Sequence, residues 1–373
     1  MKTLICLVGG QVSPNLFSIY KTEPDKLILI ATNETLDSSN DFGLLVVSKF
    51  PNIQIESITI ESHNLESILV SLDELKNNIN FEGNEVFVNY TASTKQAALG
   101  LFLTFKNTSA NLLYVDSQNE LFRFYKNGTF TNEPLNISVS LDEWVAFKGH
   151  RIKAKGDDAV AMRLATLTNR IFEERYISKN KPYNSLFYRA YQIQFDKNVK
   201  NLSIIGQYGD IHVKKSTKEN EISIVYLGQI VIEETEEWIL KYLNGGWFEI
   251  WAYLKLLNTK EYDDVWYGVE FDLQKRKPSK KIRNEIDVLA IRRGKLILVE
   301  CKTDKIVQDY IYKLDSLRQM YASNYTQSVL AATRGMDESI LDKANELNVI
   351  TINGSDRLLN EFNNLYTLEV IKK

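Results

Sequence analysis

NEIDVLAIRRGKLILVECKT, residues 284–303, reads as two short apolar strands folded about Arg293-Gly294, a dipeptide of the kind that closes a β-hairpin. Side chains alternate across a strand. Glu285, Asp287, Leu289 and Ile291 therefore share one face of the first run, and Leu296, Leu298, Glu300 and Lys302 share one face of the second. The hairpin brings Asp287, Glu300 and Lys302 to one side of a sheet. Charged groups on otherwise aliphatic strands are costly to bury unless they are paired or bind a metal. Two carboxylates beside an ammonium suit a hard divalent cation held by oxygen. The competing reading is a set of surface ion pairs on an ordinary hairpin. Against it, Glu300 directly follows Ile297-Leu298-Val299, a poor setting for a freely solvated acid. Cys301 points to the opposite face and reads as a packed thiol rather than a nucleophile.

Asp287, then Glu300-Cys301-Lys302 thirteen residues on, resembles the Asp…Glu-x-Lys core of the PD-(D/E)xK nuclease superfamily. The motif is short and degenerate; its strand-turn-strand setting is what gives it weight. The resemblance implies metal-dependent phosphodiester hydrolysis with Mg2+ or Mn2+. Asp287, Glu300 and the Cys301 backbone carbonyl would be metal ligands. Lys302 would orient the attacking water or stabilise phosphate charge. Glu285, on the same face, is either a further ligand or a supporting group. Upstream, GWFEIWAYL (residues 246–254) is apolar almost all round and carries one acid, Glu249. A helix without a polar face is normally buried, and an acid inside it needs a partner. In the superfamily the first helix of the core often supplies an extra acidic ligand, which the resemblance assigns to Glu249; an ordinary ion pair is the plainer alternative.

Cations crowd the hairpin. Lys275, Arg276, Lys277, Lys280, Lys281 and Arg283 precede it, and Arg292, Arg293 and Lys295 surround its turn. Such a run is either a solvated loop or a footprint for phosphate backbones. No base-reading motif accompanies it, so cleavage without strong sequence specificity is expected. A helix is expected over Tyr310–Tyr321, carrying Lys313, Arg318 and Gln319; some superfamily members use a glutamine on this helix.

The first third of the chain has a different rhythm. Strand-like runs at residues 4–8, 27–31, 53–60, 86–89 and 112–115 alternate with helix-like stretches at 41–50, 65–76 and 94–105. That alternation predicts a parallel, doubly wound α/β sheet. Ligands on such sheets bind beyond the carboxyl ends of strands, often at helix N-termini. Gly9-Gly10-Gln11-Val12-Ser13-Pro14-Asn15 follows the first strand, and Asn89-Tyr90-Thr91-Ala92-Ser93-Thr94-Lys95 follows the fourth. The second segment is rich in hydroxyls and amides. It is either a phosphate or ribose cradle or a helix N-cap by Ser93 or Thr94. Neither GxGxxG nor a P-loop is present, which argues against a dehydrogenase or an NTPase.

Asn89, Thr91, Thr94 and Lys95 match the Asn-x-Thr-Gly-Gly-Thr-Lys-like motif of CRISPR-associated Rossmann-fold (CARF) domains, with Ala92 and Ser93 in place of its glycines. The chain thus resembles the single-CARF nucleases of type III CRISPR systems, over roughly residues 1–120 and 245–335. That resemblance implies a Rossmann-like N-terminal domain and a restriction-endonuclease-like α/β core. It also implies a homodimer that clamps one cyclic oligoadenylate, expected to be cyclic tetra-adenylate, across its two-fold axis. The substrate would be RNA or DNA, single-stranded or supercoiled. The ligand-binding set on this reading is Gly10, Gln11, Ser13, Asn89, Thr91, Ser93, Thr94 and Lys95.

The domain expectation is 1–140 for the CARF domain, 141–235 for a connecting or coupling region and 236–373 for the nuclease. In the middle region, residues 159–176 read as an amphipathic helix, and residues 184–233 alternate like strands with a turn at Tyr208-Gly209-Asp210. A net charge of −3 over 373 residues argues against a wholly basic nucleic-acid binder. Two cysteines, Cys6 and Cys301, give no disulfide framework. Three scattered histidines suggest no zinc site. With no signal peptide or membrane span apparent, a cytoplasmic location is expected. Two rival classes stay open: a constitutive repair or restriction nuclease, and a catalytically silent nucleotide sensor.

Overall fold

The computed structural model describes residues 1–10, 12–148, 150–173, 201–204, 211–215, 221–273, 284–321 and 326–365. The chain divides into two compact units, one formed chiefly by Met1–Arg151 and one chiefly by the residues from Ile152 onward.

The first unit is built on a seven-stranded sheet. Its strands are β1 (Lys2–Leu7), β2 (Lys26–Thr32), β3 (Gln54–Ile60), β4 (Glu85–Asn89), β5 (Asn111–Asp116), β6 (Leu121–Lys126) and β7 (Thr129–Pro134), in the order β3-β2-β1-β4-β5-β6-β7. From β3 to β5 neighbouring strands are parallel. β6 and β7 then add antiparallel strands at the edge, which the expectation of a parallel sheet did not include. They follow from local chemistry: Lys126-Asn127-Gly128 closes a hairpin with Asn127 and Gly128 both at positive φ.

Helices α1 (Ser13–Thr22), α2 (Leu36–Lys49), α3 (Leu65–Asn77) and α4 (Lys95–Phe105) alternate with the strands, and α5 (Leu141–Phe147) closes the unit. α3 starts where Asn64 accepts from the Ser67 N–H, and α4 where Thr94 accepts from the Ala97 N–H. Ile5, Leu7, Ile28, Ile30, Val86 and Val88 pack against Leu72, Leu101 and Phe105 in one core. α1 was not legible in the sequence. Ser13, Asn15, Ser18 and Thr22 are buried in it, and Ser18 and Thr22 donate to the carbonyls of Pro14 and Ser18 one turn back. Polar side chains that bond inside their own helix leave no apolar periodicity to read.

The second unit holds a six-stranded mixed sheet. β8 (His150–Ala154), β13 (Asp264–Leu273), β14 (Asn284–Arg292), β15 (Lys295–Lys302), β16 (Gln327–Ala332) and β17 (Val349–Asn353) run in the order β17-β16-β15-β14-β13-β8. β13 and β14 are antiparallel, and β15, β16 and β17 are parallel. The β14–β15 turn is the expected Arg293-Gly294, at φ 48° and 74°. Both values lie in the left-handed region that a two-residue type I′ turn requires.

The middle of the chain shares this unit's core. Helix α6 (Asp158–Phe172) is followed by a four-stranded antiparallel sheet of β9 (Asn201–Ile204), β10 (Ile211–Lys215), β11 (Glu221–Tyr226) and β12 (Gln229–Thr235). Leu164 and Leu167 of α6 and Ile211, Ile224 and Ile232 of this sheet belong to one apolar cluster with Trp247, Trp251 and Val299. The Phe172 and Trp251 rings stack at 4.2 Å. The expected turn at Tyr208-Gly209-Asp210 and the basic run Lys275–Arg283 lie outside the described residues. Among the described residues, no helix is long and apolar enough to cross a membrane.

Candidate active site and ligand pocket

Sheet alternation places Asp287 and Glu300 side by side inside the second unit, and both are buried, at 5% and 2% exposure. Asp287 Oδ2 accepts the Cys301 N–H at 2.7 Å, a bond that runs from one hairpin strand to the next. Lys302 Nζ lies 2.6 Å from Glu300 Oε1 and 3.4 Å from Asp287 Oδ2. The other Glu300 oxygen pairs with Lys313 Nζ at 2.6 Å, from the Gln308–Tyr321 helix. The Lys302 ammonium also sits 4.8 Å from the centre of the Tyr310 ring. The three motif residues are thus brought together as the sequence predicts, and Lys313 completes the group.

Burial pushes the Asp287 carboxyl up to about 6, and the neighbouring Glu300 charge adds to the effect. Burial likewise pushes Glu249 up to about 8, with Asp287 as the next cause. Burial opposes charge on Lys302, but Asp287 and Glu300 outweigh it and raise its pKa. Glu249 sits in the first turn of the Trp247–Thr259 helix, whose Trp247, Phe248, Ile250, Trp251 and Tyr253 are all buried. Glu285 is taken by Lys241 at 2.7 Å. Cys301 is buried and its thiol is pushed up by burial, as expected of a packed side chain. Arg318 and Gln319 both bond Asp315 rather than the carboxylate pair.

As placed, no three His, Cys, Asp or Glu side chains stand close enough to hold an ion among the described residues. Lys302 and Lys313 occupy the carboxylate oxygens instead. The donors themselves fit a hard divalent cation. The Glu300 charge adds to the raised pKa of Asp287, and the Asp287 charge to that of Glu249, and a cation among them would relieve that repulsion.

The first unit carries an open pocket of about 410 Å3 beyond the carboxyl ends of its central strands. It lies where β1 and β4 are neighbours and the strand order reverses. Of the sequence-predicted residues, Gly10, Thr91, Ser93 and Thr94 line it. Asn89 does not; it is fully buried and builds the loop. Its amide donates to Asn15 Oδ1 at 3.0 Å, and its Oδ1 accepts from Thr91 N–H and Oγ1 at 3.0 and 2.6 Å. Ser13 is buried in the first turn of α1, Lys95 is exposed and outside the lining, and Gln11 lies outside the described residues.

Sequence reading missed Thr32, Glu34, Thr35, Ser62 and His63, which come from the end of β2 and the segments after β2 and β3. Ser62 Oγ donates to Glu34 at 3.1 Å, and Thr94 Oγ1 donates to the Ser62 carbonyl at 3.0 Å. The Thr32 hydroxyl leads the hydrogen bonds that lower the Glu34 pKa, so the pocket carries an ionised acid. The doubly wound order was the available signal: the loops after β2 and β3 open on the same edge as those after β1 and β4.

Two family models match this chain: the Card1 CARF domain over residues 3–144 and the Card1-like endonuclease domain over residues 236–367. The chain is a Card1-type fusion of a CARF domain and an endonuclease domain. No curated protein matches it. Among solved structures, protein VC1899 from Vibrio cholerae superposes with TM-score 0.75 at 16% identity, covering 98% of this chain and 97% of that one. Can2 from Sulfobacillus thermosulfidooxidans, solved with cyclic tetra-adenylate, gives TM-score 0.70 at 19% identity over the full length of both. A type III CRISPR defence DNA nuclease activated by cyclic oligoadenylate gives 0.56 at 17% identity, over 90% of this chain and 45% of that one. The CARF and endonuclease folds expected from the two motifs are therefore the folds present.

Proposed function

We propose that this protein is a metal-dependent nuclease of type III CRISPR defence, switched on by a cyclic oligoadenylate bound in its CARF domain. The observation that carries the reading is one chain with a polar pocket at the β1/β4 switch point and a buried Asp287–Glu300 pair in contact with the half-buried Lys302 on β14 and β15. Cyclic tetra-adenylate, the ligand of the structurally similar Can2, is the expected activator. Ser93 offers a hydroxyl and Gly10 a backbone approach for its ribose-phosphate ring, on a loop that the Thr91 and Thr94 hydroxyls tie to Asn89 and Ser62. A two-fold ring suits an isologous homodimer. The two buried free thiols suit a reducing cytoplasm.

In the endonuclease domain Asp287, Glu300, Glu249 and the Cys301 carbonyl would hold Mg2+ or Mn2+. Such an ion supplies Lewis acidity and a nucleophilic water at neutral pH. Lys302, in contact with both acids, stays charged and is placed to orient water and offset phosphate charge. Lys313 fixes Glu300 from the opposite side.

The test is cleavage of labelled single-stranded RNA and single-stranded DNA with Mn2+, with and without cyclic tetra-adenylate. Cutting that needs the ligand and disappears in Glu300→Ala, while that variant still binds the ligand, is the expected result. Equal cutting without ligand would identify a constitutive nuclease. No cutting with any divalent metal would leave a nucleotide sensor.

A further inference from the structure

A second pocket, of about 370 Å3, opens in the endonuclease unit with Glu249 in its wall. We propose that this pocket is a nucleobase subsite, which takes one unstacked base of the substrate strand next to the bond that is cut. The inference rests on the nuclease reading and deepens it.

The lining is that of a base-stacking platform. Trp238 is partly exposed there, and its indole lies nearly parallel to the buried Tyr242 ring, at 9° and 5.7 Å. Tyr242 is fixed from behind by a 2.9 Å bond between its hydroxyl and Thr168. Tyr267 forms another part of the wall, tied by its hydroxyl to the Asp157 carbonyl at 2.9 Å. An aromatic face backed by a ring that is itself fixed loses little freedom when a base stacks on it. Gly156 and Gly268 line the cavity with backbone alone. A Cβ on Gly156 would lie 2.2 Å from the Tyr267 ring, so the backbone crosses that ring where no other residue fits.

Charge sorts the parts of a nucleotide. Lys155 and Lys241 line the pocket as exposed cations, suited to backbone phosphates. Lys155 Nζ is held 3.8 Å from the centre of the Trp266 ring, and Lys241 is anchored on Glu285. Asp157 and Glu234 line the same cavity. Carboxylates repel a phosphate but accept from the exocyclic amine of a base or a ribose hydroxyl. A base therefore enters and its phosphates stay outside with the lysines. The volume falls within the roughly 300–1,000 Å3 of small-molecule sites. Glu249 belongs to both the cavity wall and the candidate metal set, so the occupied base would be a near neighbour of the scissile phosphodiester.

The test begins with the full-length wild-type protein, cyclic tetra-adenylate, Mn2+ and a single-stranded oligonucleotide with one mapped cut. Each nucleotide is replaced in turn by an abasic residue. Loss of one base at a fixed offset from the cut should slow cleavage about tenfold, the scale of one stacked base. Uniform rates at every offset would overturn the subsite while leaving the nuclease reading intact. A binding measurement in EDTA is independent of catalysis. An oligonucleotide carrying 2-aminopurine at that offset should be quenched by wild type and by Trp238→Phe, and not by Trp238→Ala. If Trp238→Ala does not fold, the abasic scan decides alone. If wild type cuts nothing, the proposed function fails, and 2-aminopurine placed at each position in turn still reports whether a base is stacked. Equal displacement of the oligonucleotide by the same concentration of free mononucleotide would mark an unrelated nucleotide site and overturn the proposal.

Discussion

At Ser93, where the CARF motif that the chain resembles has a glycine, the backbone is left-handed. Ser93 has φ 86°, a region that side chains with a Cβ enter at a cost of roughly 1–2 kcal/mol. The strain is held in place from across the loop, because a Cβ on Gly9 would lie 2.5 Å from the Ser93 nitrogen. Ser93→Gly should therefore raise the urea midpoint of the CARF transition by an equivalent of about 1 kcal/mol, the relieved strain being partly offset by a freer unfolded chain. An unchanged or lower midpoint would count against the strain. In the other unit, the acids carry a linkage prediction. The folded pKa values of Asp287 and Glu249 are raised, so between about pH 4 and pH 8 these two groups hold more protons in the folded protein than in the unfolded chain. Their contribution is most favourable below the unfolded values and falls as pH rises. A divalent metal needs the ionised form and removes the repulsion. The rise in Tm on adding Mn2+, measured by calorimetry, should therefore be larger at pH 8 than at pH 5.5, and an equal or smaller rise at pH 8 would contradict the assignment. Asp287, Glu300, Lys302 and Glu249 were legible because charged residues interrupt apolar runs. Lys313 was visible only as one cation on an expected helix, since its bond to Glu300 joins two elements that sequence spacing does not align. The acid Glu34 and the hydroxyls that the segments around β2 and β3 bring to the CARF pocket were hidden for the same reason.

Strands with apolar runs were the readable elements. The five parallel strands and the β14–β15 hairpin appear close to where the sequence pattern put them: β1, β2 and β15 are buried on both faces and read as continuous aliphatic runs, while β3, exposed along most of its length, is marked by Ile55, Ile58 and Ile60. The middle region was harder. Its strands and helix α6 were visible as patterns, but whether they formed a separate coupling element depended on partners more than seventy residues away. Thr168 meets Tyr242, Asp158 meets Tyr253 and Phe172 stacks on Trp251, so α6 is packed as a wall of the endonuclease core. The Trp247–Thr259 helix, which presents Glu249, is pinned between this wall and the main sheet. Phe172→Ala removes a fully buried ring and should cost about 3–5 kcal/mol of endonuclease stability. The expected signature in chemical denaturation is a shift of the endonuclease transition with the CARF transition unmoved. A shift of less than about 1 kcal/mol, or an equal shift of both, would show that α6 is not part of that core.

At the scale of the whole molecule, a net charge of −3 gives no general attraction for nucleic acid, so recognition has to come from local groups such as Lys155 and Lys241. The same sparseness bears on activation. The polar pocket and the acid cluster belong to different compact units, and a cyclic oligoadenylate can turn on cutting only by binding the competent state more tightly than the idle one. If that competent state is also the one that grips the strand, linkage makes the effect reciprocal: the factor by which the ring tightens strand binding must equal the factor by which the strand tightens ring binding. Typical couplings of about 1–3 kcal/mol correspond to roughly 5- to 150-fold. Titration calorimetry with cyclic tetra-adenylate, with and without a non-cleavable phosphorothioate oligonucleotide in Ca2+, should show a Kd lowered by a factor in that range. The converse titration should return the same factor. An unchanged ring affinity, in a protein whose cutting still requires the ring, would place the control in the chemical step alone. Activation would then have to act on how Lys302, Lys313 and the carboxylates are arranged around the bound phosphate, and not on whether the strand is held.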